Sequence, residues 1–293
     1  MDSTDLRVFV AVARQGGMNR AAAALNTVQS AVTARIRALE AGLGTPLFER
    51  HARGTRLTPA GERLLPYAER VLGLMEEARA AVRDAGAPAG TLRLGTLETT
   101  AALRLSPLLA GFAAAWPAVD LVLRTGTSAE LVAAVLDRAL DGAFVCGPVA
   151  HPALLAETRF REELVLLAPP CPGGLEAVLA RPDLRLLVLR AGCSYRQRLE
   201  EILARRGVVG LRLLEFGTLE AILGCVAAGL GITLLPRGLA EGSPQRRAIA
   251  THALPPAEAM VETQFIRRRD ARVSSALAAF LDDTRPASAQ AAE

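Results

Sequence analysis

Hydrophobic and polar positions follow two different rhythms along the chain. Before residue 85 the apolar positions recur every three or four residues, which predicts helices. From Thr91 onward, short apolar runs alternate with helical segments, and after "EELVLLAP" the alternation begins again. Such a pattern is typical of a parallel sheet flanked by helices, here formed twice. The stretch "DAGAPAG" at 84–90 predicts a linker between the two parts.

The first part begins with a supporting helix and two closely spaced helices. "LRVFVAVARQGG" has one apolar side and ends at its two glycines. Asn19 is expected to cap the Ala-rich helix "RAAAALN", and Thr27 is expected to cap the helix that follows. Two helices joined by so short a turn, after a supporting helix, predict a helix-turn-helix.

The third helix, in "LNTVQSAVTARIRALE" (25–40), has an apolar side and a polar side. The apolar side is predicted to hold Val28, Val32, Ile36 and Leu39, with Arg35 at its edge, and the polar side Gln29, Ser30, Thr33 and Arg37. A DNA major groove admits one helix, and Gln, Ser, Thr and Arg can read base edges there. The alternative is a face that only meets water. Such a face usually includes acidic residues, and this one has none before Glu40.

The next segment predicts a hairpin and then a long helix. "PLFER" and "TRLTP" are two short extended pieces around "HARG", with Arg50, Arg53 and Arg56 in or beside them. A narrow minor groove concentrates negative potential and attracts inserted Arg. Thr58 before Pro59 suits the start of a helix that runs to about residue 85. Pairing with a second copy would bury its apolar stripe. The stripe consists of Leu64, Leu65, Ala68, Val71, Leu72, Met75 and Ala78.

The distribution of charged residues along the chain supports this interpretation. The net charge is +4, and all 34 basic residues are Arg. Residues 1–60 hold eight Arg against four acids, whereas the remaining residues hold 26 of each, so the whole excess lies where DNA phosphate would be met. The four cysteines and three histidines are isolated in the sequence, so no disulfide, metal or cofactor is expected. Without a signal-peptide pattern or a long apolar span, the expected location is the cytoplasm.

The N-terminal part resembles the winged helix-turn-helix of LysR-type transcriptional regulators. The matching pieces are "AAAAL", Gln29, "RIRALEAGLG", "PLFER" and "LTPAGERLL", in the family's order and spacing. Val28, Ser30 and Ala34 depart from the family's common Ser, Pro and basic residue. The resemblance implies DNA contacts by Asn19, Arg20, Gln29, Ser30, Thr33, Arg35, Arg37, Arg50, Arg53, Arg56 and Thr58. The body of the second lobe, with "GCSYRQRLE" and "EFGTLEAILGCVAAGLG", is similar to the YofA-like branch.

The resemblance extends over nearly the whole chain and implies its organisation. The implied fold class is α plus α/β: a winged helix-turn-helix at 1–58, a linker and dimerisation helix with a hinge at 59–88, and an effector domain at 89–293. That domain would resemble a periplasmic binding protein, with lobe I at 89–161 and 267–293 and lobe II at 162–266. The implied partners are double-stranded promoter or operator DNA, a small-molecule effector, further copies in a homodimer or homotetramer, and RNA polymerase.

Ligand contacts are expected where strands end and helices begin, because free backbone N–H groups there attract anions. Four junctions qualify, and their candidate residues are Thr96, Glu98, Thr99 and Thr100; Thr127 and Ser128; Cys193, Ser194, Tyr195 and Arg196; and Thr218. The Ser and Thr residues also suit plain helix caps. The "GCSYR" junction is the most distinctive, and we expect it to bind a small anionic effector.

Three alternatives compete with a ligand-responsive DNA-binding protein. Cys193, at a helix start near Arg, suits a redox-sensing thiol, although the sequence shows no resolving cysteine nearby. An α/β enzyme is disfavoured, because the nucleophile-elbow, P-loop, dinucleotide and zinc-protease motifs are missing. A transport-type binding protein would explain two lobes but not the basic N-terminal part.

Overall fold

The computed structural model describes residues 1–51, 54–84, 86–181, 183–208 and 210–284. The chain forms two compact units. One comprises Met1–Ala85 with Asp137–Ala139, and the other comprises Gly86–Leu136 with Leu140–Glu293. The first division falls in the Gly- and Pro-containing segment "DAGAPAG".

The first unit is helical with a small hairpin. In chain order its elements are α1 (Ser3–Gln15), α2 (Met18–Ala24), α3 (Gln29–Leu43), β1 (Phe48–His51), β2 (Gly54–Leu57) and α4 (Pro59–Arg83). The two strands pair antiparallel. Apolar sides of α1 and α3 form the core, where Phe9, Val12 and Ile36 are almost completely buried. Phe9 packs against Phe48 of the hairpin, with ring centroids 5.3 Å apart. The predicted helix-turn-helix and wing are therefore present.

The helix starts differ from the predicted caps. Asn19 lies inside α2, whose cap position is Gly17. The Thr27 amide donates to the Ala22 carbonyl at 2.9 Å, which closes the C-terminal turn of α2. As a result α3 starts one residue later, with Val28 at its cap position and without a side-chain cap. The predictions that Asn19 and Thr27 cap these helices are wrong. The prediction that Val28 belongs to the apolar stripe is also wrong, because this residue precedes the helix and is 64% exposed.

The long helix α4 carries two apolar stripes instead of one, and it continues unbroken through Pro66. The first stripe packs against the core of the first unit and contains Leu64, Leu65, Ala68 and Leu72. The second is between 45% and 63% exposed and contains Tyr67, Val71 and Leu74. Residues four and seven positions apart share a side of a helix, so this second stripe is continuous.

The second unit begins with an α/β lobe and continues into another. The first lobe contains β3 (Gly90–Thr96), α5 (Glu98–Thr100), a π-helical turn (Ala101–Leu105), α6 (Ser106–Ala115), β4 (Val119–Thr125), α7 (Ser128–Leu136) and β5 (Gly142–Cys146). The chain continues through β6 (Leu154–Ala168), α8 (Gly174–Leu179), β7 (Arg185–Leu189), α9 (Ser194–Arg205), β8 (Arg212–Phe216), α10 (Leu219–Ala227), β9 (Thr233–Pro236) and α11 (Arg237–Gly242). It ends with a 3-10 turn (Arg246–Ala248), β10 (Ala250–Ala253), α12 (Pro256–Ala259), β11 (Met260–Arg268) and α13 (Ser275–Asp283).

Two long strands, β6 and β11, connect the lobes. They belong to a seven-stranded sheet of order β10-β6-β11-β5-β3-β4, in which β9 also pairs with β6. Strands β3, β4 and β5 are parallel, whereas β6 and β11 pair antiparallel with each other. A two-stranded parallel sheet of β7 and β8 lies in the second lobe. The prediction of two α/β lobes is confirmed, but the first lobe's sheet is mixed because β11 returns through it next to β5.

Each lobe has its own core. Aromatic residues, among them Phe112, Phe144 and Phe280, fill the first lobe, and aliphatic residues around β6 and β7 fill the second. Residues 263–266 of β11 pair with β5. The strand register thus assigns them to the first lobe, whereas the predicted boundary at 266 places them in the second. Two cores joined by two strands allow a cleft to lie between the lobes.

Within the described ranges, no helix is both long and apolar enough to cross a membrane. In the same part of the chain, no group of three or more His, Cys, Asp or Glu side chains could hold a metal ion. The four cysteines, Cys146, Cys171, Cys193 and Cys225, are free thiols of intermediate burial.

Candidate functional site

Helix α3 presents a polar side to solvent in the first unit. Its apolar side is at most 2% exposed and contains Val32, Ile36 and Leu39. Its opposite side contains Gln29, Ser30, Thr33 and Arg37, of which only Thr33 is half-buried. The Gln29 side-chain amide donates to the Thr33 hydroxyl at 3.2 Å, which orders the first turn. The surface therefore offers amide, hydroxyl and guanidinium groups with no acid between Gln29 and Arg37.

Two of the arginines expected to contact DNA have partners inside the first unit. Arg20 donates to the carbonyls of Gln15 (2.6 Å) and Gly16 (3.0 Å), and so holds the end of α1. Arg35 forms an ion pair with Asp5 of α1, with 3.0 Å between Nη1 and Oδ1. Both guanidinium groups thus position α1 against the helix-turn-helix.

Thr58 also has a structural role. Its side chain is buried, and its hydroxyl donates to the Pro46 carbonyl at 2.8 Å. The same oxygen accepts the Gly61 amide at 3.1 Å, which caps α4 as the sequence before Pro59 predicts. This arrangement leaves the hydroxyl no second proton to donate to a phosphate.

The hairpin is fixed at its base and exposed on β2. The Glu40 carboxylate accepts the two backbone amides at the start of the hairpin, at 2.7 and 3.2 Å. Arg56 is exposed on β2, and Asn19 is exposed near the start of α2. The side chain of Arg50 and all of Arg53, both predicted to contact DNA, lie outside the described residues. The geometry therefore supports the predicted wing through its backbone and Arg56.

A cavity of about 500 Å³ lies between the lobes of the second unit. Each lining residue lies at or just after the carboxyl end of a parallel strand: β3, β4 or β5 in the first lobe, and β7 or β8 in the second. Open α/β sheets bind their ligands outside these strand ends. The volume lies within the range of small-molecule sites. The cavity is therefore the candidate effector site.

Six of the eleven predicted effector residues line this cavity: Glu98, Thr99, Thr127, Cys193, Ser194 and Tyr195. The other five lie outside its lining: Thr96, Thr100, Ser128, Arg196 and Thr218. Thr96 and Thr100 are buried in the first lobe, where their side chains serve packing. The cavity thus unites all four predicted junctions, but not every residue of each.

Arg196 is the largest departure from the prediction. Its guanidinium forms ion pairs with Glu200 at 3.2 Å and with Glu215 at 3.1 Å. Glu200 lies one helical turn further along α9, so the side chain follows the helix surface. Arg190, just after β7, lines the cavity instead. Arg190, and not the predicted Arg196, is therefore the arginine among the residues that line the cavity.

Helices α7 and α10 start beside the cavity with side-chain caps already in place. At α7 the Glu130 carboxylate accepts the Thr127 amide at 2.8 Å, and the Thr127 hydroxyl accepts the Glu130 amide at 3.3 Å. At α10 the Thr218 hydroxyl accepts the Ala221 amide at 3.3 Å. Glu98 of the first lobe also accepts a backbone amide of α10, that of Leu219, at 3.3 Å. An anion would compete with these carboxylates at both helices.

Helix α9 differs from these two because no described side chain caps it. Cys193 occupies its cap position and makes no capping hydrogen bond. Cys193, Ser194 and Tyr195 all line the cavity, so the first turn of α9 faces the site. The first N–H groups of a helix lack partners within the helix and favour negative charge. The N-terminus of α9, with Arg190 nearby in the lining, is therefore the candidate anion-binding end of the cavity.

Contacts between the lobes also shape the cavity. The hydroxyls of Ser128 and Ser194 lie 3.4 Å apart across the cleft. Burial raises the pKa of Tyr195, and a hydrogen bond with Thr99 opposes this only in part, so the phenol is neutral at neutral pH. Burial likewise raises the pKa of the Cys146 thiol, against a smaller effect of a hydrogen bond with Ser194. The cavity walls therefore carry the Tyr195 phenol and the Cys146 thiol in neutral form.

Several lining residues were missed by reasoning from the sequence. They are Leu97, Thr125, Gly126, Cys146, Leu189, Arg190, Phe216 and Gly217. Cys146 ends β5, and Arg190 follows the last residue of β7. The rule that ligands bind at strand ends would have found both, had it been applied to apolar strand ends as well as to helix caps.

A winged helix-turn-helix joined to a two-lobed domain with a cleft defines a class, the ligand-responsive DNA-binding transcriptional regulators. Two family models match the chain: the bacterial regulatory helix-turn-helix protein, lysR family, over residues 3–62, and the LysR substrate binding domain over residues 85–288. The chain belongs to the LysR family. It is a DNA-binding transcriptional regulator with an effector-binding domain, and not an enzyme.

Named relatives and a solved complex agree with this assignment. The HTH-type transcriptional regulator GltR of Bacillus subtilis (strain 168) is 45% identical over 96% of this chain and 95% of its own length. The HTH-type transcriptional regulator YofA of the same strain is 44% identical over 97% of this chain and 98% of its own. Full-length CbnR complexed with its target DNA has a TM-score of 0.67 and 26% identity, over 97% of this chain and 99% of that one. The resemblance to YofA is confirmed, with GltR equally similar.

Proposed function

We propose that the exposed side of α3 reads base edges in the major groove of the operator, while the hairpin contacts the adjacent backbone or minor groove. The proposed base contacts are Gln29, Ser30, Thr33 and Arg37, and the proposed wing contacts are Arg50, Arg53 and Arg56. The division of α3 into a buried apolar side and an acid-free polar side carries this proposal. Arg can form bidentate hydrogen bonds with guanine, and Gln can form them with adenine.

The remaining DNA-contact candidates take different roles. Arg20, Arg35 and Thr58 are proposed as positioning residues, since each already holds a backbone or carboxylate partner in the first unit. Asn19, exposed near the start of α2, is proposed as a phosphate contact. Phosphate contacts fix register and orientation, whereas base contacts determine sequence preference.

Charge reversal at Arg37 tests the base-reading proposal in the full-length chain. A good base contact by Arg contributes about 1–3 kcal/mol, so Arg37→Glu should weaken binding about 5- to 150-fold or more. The measurement is fluorescence anisotropy with duplexes recovered by genome-wide mapping of binding sites, at fixed salt. Arg7→Glu makes the same change in net charge on an exposed position of α1 and serves as the control. Equal losses in the two variants, or no loss in Arg37→Glu, would contradict a specific contact.

In the second unit, we propose that the cavity binds a small effector whose anionic group lies at the N-terminus of α9. The uncapped first turn of α9 and the guanidinium of Arg190 support this position. Candidate effectors come from a thermal-shift screen of metabolites made or consumed by products of neighbouring genes. Arg190→Met should then abolish most of the shift, and Arg196→Met should preserve it, because Arg196 lies outside the cavity. The opposite ranking would refute the assignment.

We further propose that effector binding moves the lobes and so changes the spacing of DNA-binding units in an oligomer, and with it the access of RNA polymerase to the promoter. The second stripe of α4, formed by Tyr67, Val71 and Leu74, is the surface proposed to pair two copies. Exposed apolar residues at helical spacing are typical of a helix that packs against another helix.

A second candidate function is redox sensing through Cys193. The observation that favours it is Cys146, a second thiol that lines the same cavity from the other lobe. In this scheme the Cys193 thiolate attacks a peroxide, giving a sulfenic acid and releasing hydroxide or alcohol. The Cys146 thiol then attacks that sulfur, which forms a disulfide and releases water. Peptide mass spectrometry after peroxide treatment should show the Cys146–Cys193 disulfide in the wild type and in Cys171→Ser, but not in Cys193→Ser. Its absence from the wild type would end this candidate.

A further inference from the structure

The effector cavity presents one acidic and one basic side chain, one from each lobe. Glu98 lies just after β3 of the first lobe, and Arg190 lies just after β7 of the second. Neither forms an ion pair with any residue that the structure describes, although Arg190 lies near enough to Glu130 to help lower the pKa of that carboxyl. The Glu98 carboxylate accepts one hydrogen bond, from the Leu219 amide. The cavity therefore carries two opposite charges that the protein itself does not neutralise against each other.

Glu98 is half-buried and Arg190 is exposed, and a ligand whose charges are complementary to both gains specificity from the pairing. A purely anionic ligand would satisfy Arg190 but bring a second negative charge toward Glu98. A purely cationic ligand would pair with Glu98 but bring a second positive charge toward Arg190. A ligand with one positive and one negative group can pair with Glu98 and Arg190 at the same time.

The two ends of such a ligand can be placed from the helix caps. The carboxylate belongs at the first turn of α9, because α7 and α10 are already capped. Glu98 uses one oxygen for the Leu219 amide, and a carboxylate has lone pairs for several further donors. An ammonium group can therefore be bound by Glu98 without breaking the cap of α10.

The rest of the lining indicates what lies between and beside the charged groups. Leu97, Leu189 and Phe216 contribute apolar surface at the strand ends, and Tyr195 is neutral and buried. Apolar walls with a few placed polar groups are usual for small-molecule sites. They leave room for an uncharged, largely apolar substituent.

We propose that the effector is a zwitterion of the amino-acid type, with its ammonium group on Glu98 and its carboxylate on Arg190 and the N-terminus of α9. This inference rests on the proposed function, the binding of an effector in this cavity, and specifies the chemistry of that effector. Glu98 is then a specificity-determining residue, because it distinguishes amino acids from acids of the same shape that lack the amine.

Calorimetry on the full-length protein tests the proposal with the twenty standard amino acids. Each amino acid is compared with its deaminated acid and its decarboxylated amine. Glu98→Gln removes the charge but keeps a carbonyl oxygen that can accept the Leu219 amide. Glu220→Gln removes an exposed charge from the first turn of α10, outside the cavity, and is the matched control. Both variants are screened by circular dichroism for a wild-type fold.

The expected result is a reversal of preference. The wild type should bind at least one amino acid more tightly than its deaminated acid. Glu98→Gln should weaken that amino acid about 10- to 100-fold, as expected for a lost hydrogen bond to a charged group, and should bind the deaminated acid more tightly than the wild type does. Glu220→Gln should change neither.

Three outcomes overturn the inference, and they separate it from the proposed function. If deaminated acids bind the wild type at least as tightly as amino acids do, the cavity remains an effector site but the zwitterion is excluded. The same holds if no compound of the panel binds while a metabolite without an amine does. If an amino acid binds equally well to the wild type, Glu98→Gln and Arg190→Met, it occupies another site, and both proposals fall.

Discussion

Replacing Thr58 by Val should destabilise the DNA-binding unit without altering its exposed surface. Valine has a similar shape but loses the donor to the Pro46 carbonyl (2.8 Å) and the acceptor for the Gly61 amide (3.1 Å). Loss of an N-cap costs about 0.5–2 kcal/mol, and an ordinary hydrogen bond contributes about 0.5–1.5 kcal/mol. Together they predict a loss of about 1–3.5 kcal/mol in the free energy of unfolding. Pro46 is exposed, so water can replace one of the two bonds and the lower half of this range is expected.

Hydrogen exchange of the full-length protein is the suitable assay. A single melting temperature would mix the transitions of two units, whereas peptide-resolved exchange isolates the start of α4. The predicted loss corresponds to faster exchange of the Gly61 amide by about 5- to 400-fold. Thr58→Ser keeps the hydroxyl and should behave like the wild type.

DNA binding provides the decisive comparison for Thr58. If the hydroxyl caps α4, then Thr58→Val loses affinity only in proportion to its loss of structure, and affinity returns at lower temperature. If instead Thr58→Val keeps wild-type exchange at Gly61 and still loses operator affinity, the hydroxyl contacts DNA. That result would refute a purely structural role for Thr58.

Three further predictions concern the helices. Val71→Glu with Leu74→Glu should shift the protein toward smaller species in analytical ultracentrifugation, while Ala80→Glu, on the other side of α4, should not; an unchanged distribution would exclude the second stripe of α4 as an interface. Gly61→Ala should destabilise the first unit by about 1–3 kcal/mol in the same exchange assay, because its Cβ would press on the Leu47 carbonyl, although Ala normally favours helices; a stabilised variant would disprove this packing. The pKa of the Glu130 carboxyl is lowered below its ordinary 4.5, chiefly by the hydrogen bond from the Thr127 amide. The ionised carboxylate therefore stabilises the folded state above pH 4.5, and this stabilisation is lost as the pH falls through the lowered pKa. Glu130→Gln should therefore reduce the change in α7 exchange between neutral pH and about pH 3, and an identical pH profile would contradict the cap.

Periodicity predicted most elements of this fold because each helix or strand buries one side. The two sides of α3 illustrate this, since Val32, Ile36 and Leu39 are buried as their spacing predicts. Local turns were less predictable. Thr27 looks like an N-cap in the sequence, but its amide closes the preceding helix, and only the three-dimensional turn decides between these roles. The apolar residues of α4 divide between a domain core and an exposed stripe for a similar reason, because spacing alone does not say where the core lies.

The effector site shows the same limit more sharply. The strand-to-helix junctions were recognisable from the sequence, and the structure unites them in one cavity. Which arginine enters that cavity was not recognisable. Arg190 and Arg196 are six positions apart in the same junction, and their roles depend on Glu200 and Glu215, which pair with Arg196 outside the cavity. Glu200 lies one turn further along the same helix, but Glu215 lies on β8, and a partner from a different strand is not evident in the local sequence pattern.

The sequence by itself determined the kind of protein: its periodicities, its Arg-rich first fifth and its ordered family motifs were enough to assign a winged helix-turn-helix and a two-lobed α/β domain. Tertiary structure alone decided which polar groups remain available for ligands. Arg20, Arg35 and Thr58 are engaged by neighbours, and Glu98 meets α10 across the cleft. The physical reason is that secondary structure follows from local spacing, whereas hydrogen bonds and ion pairs depend on residues that folding brings together from distant parts of the chain.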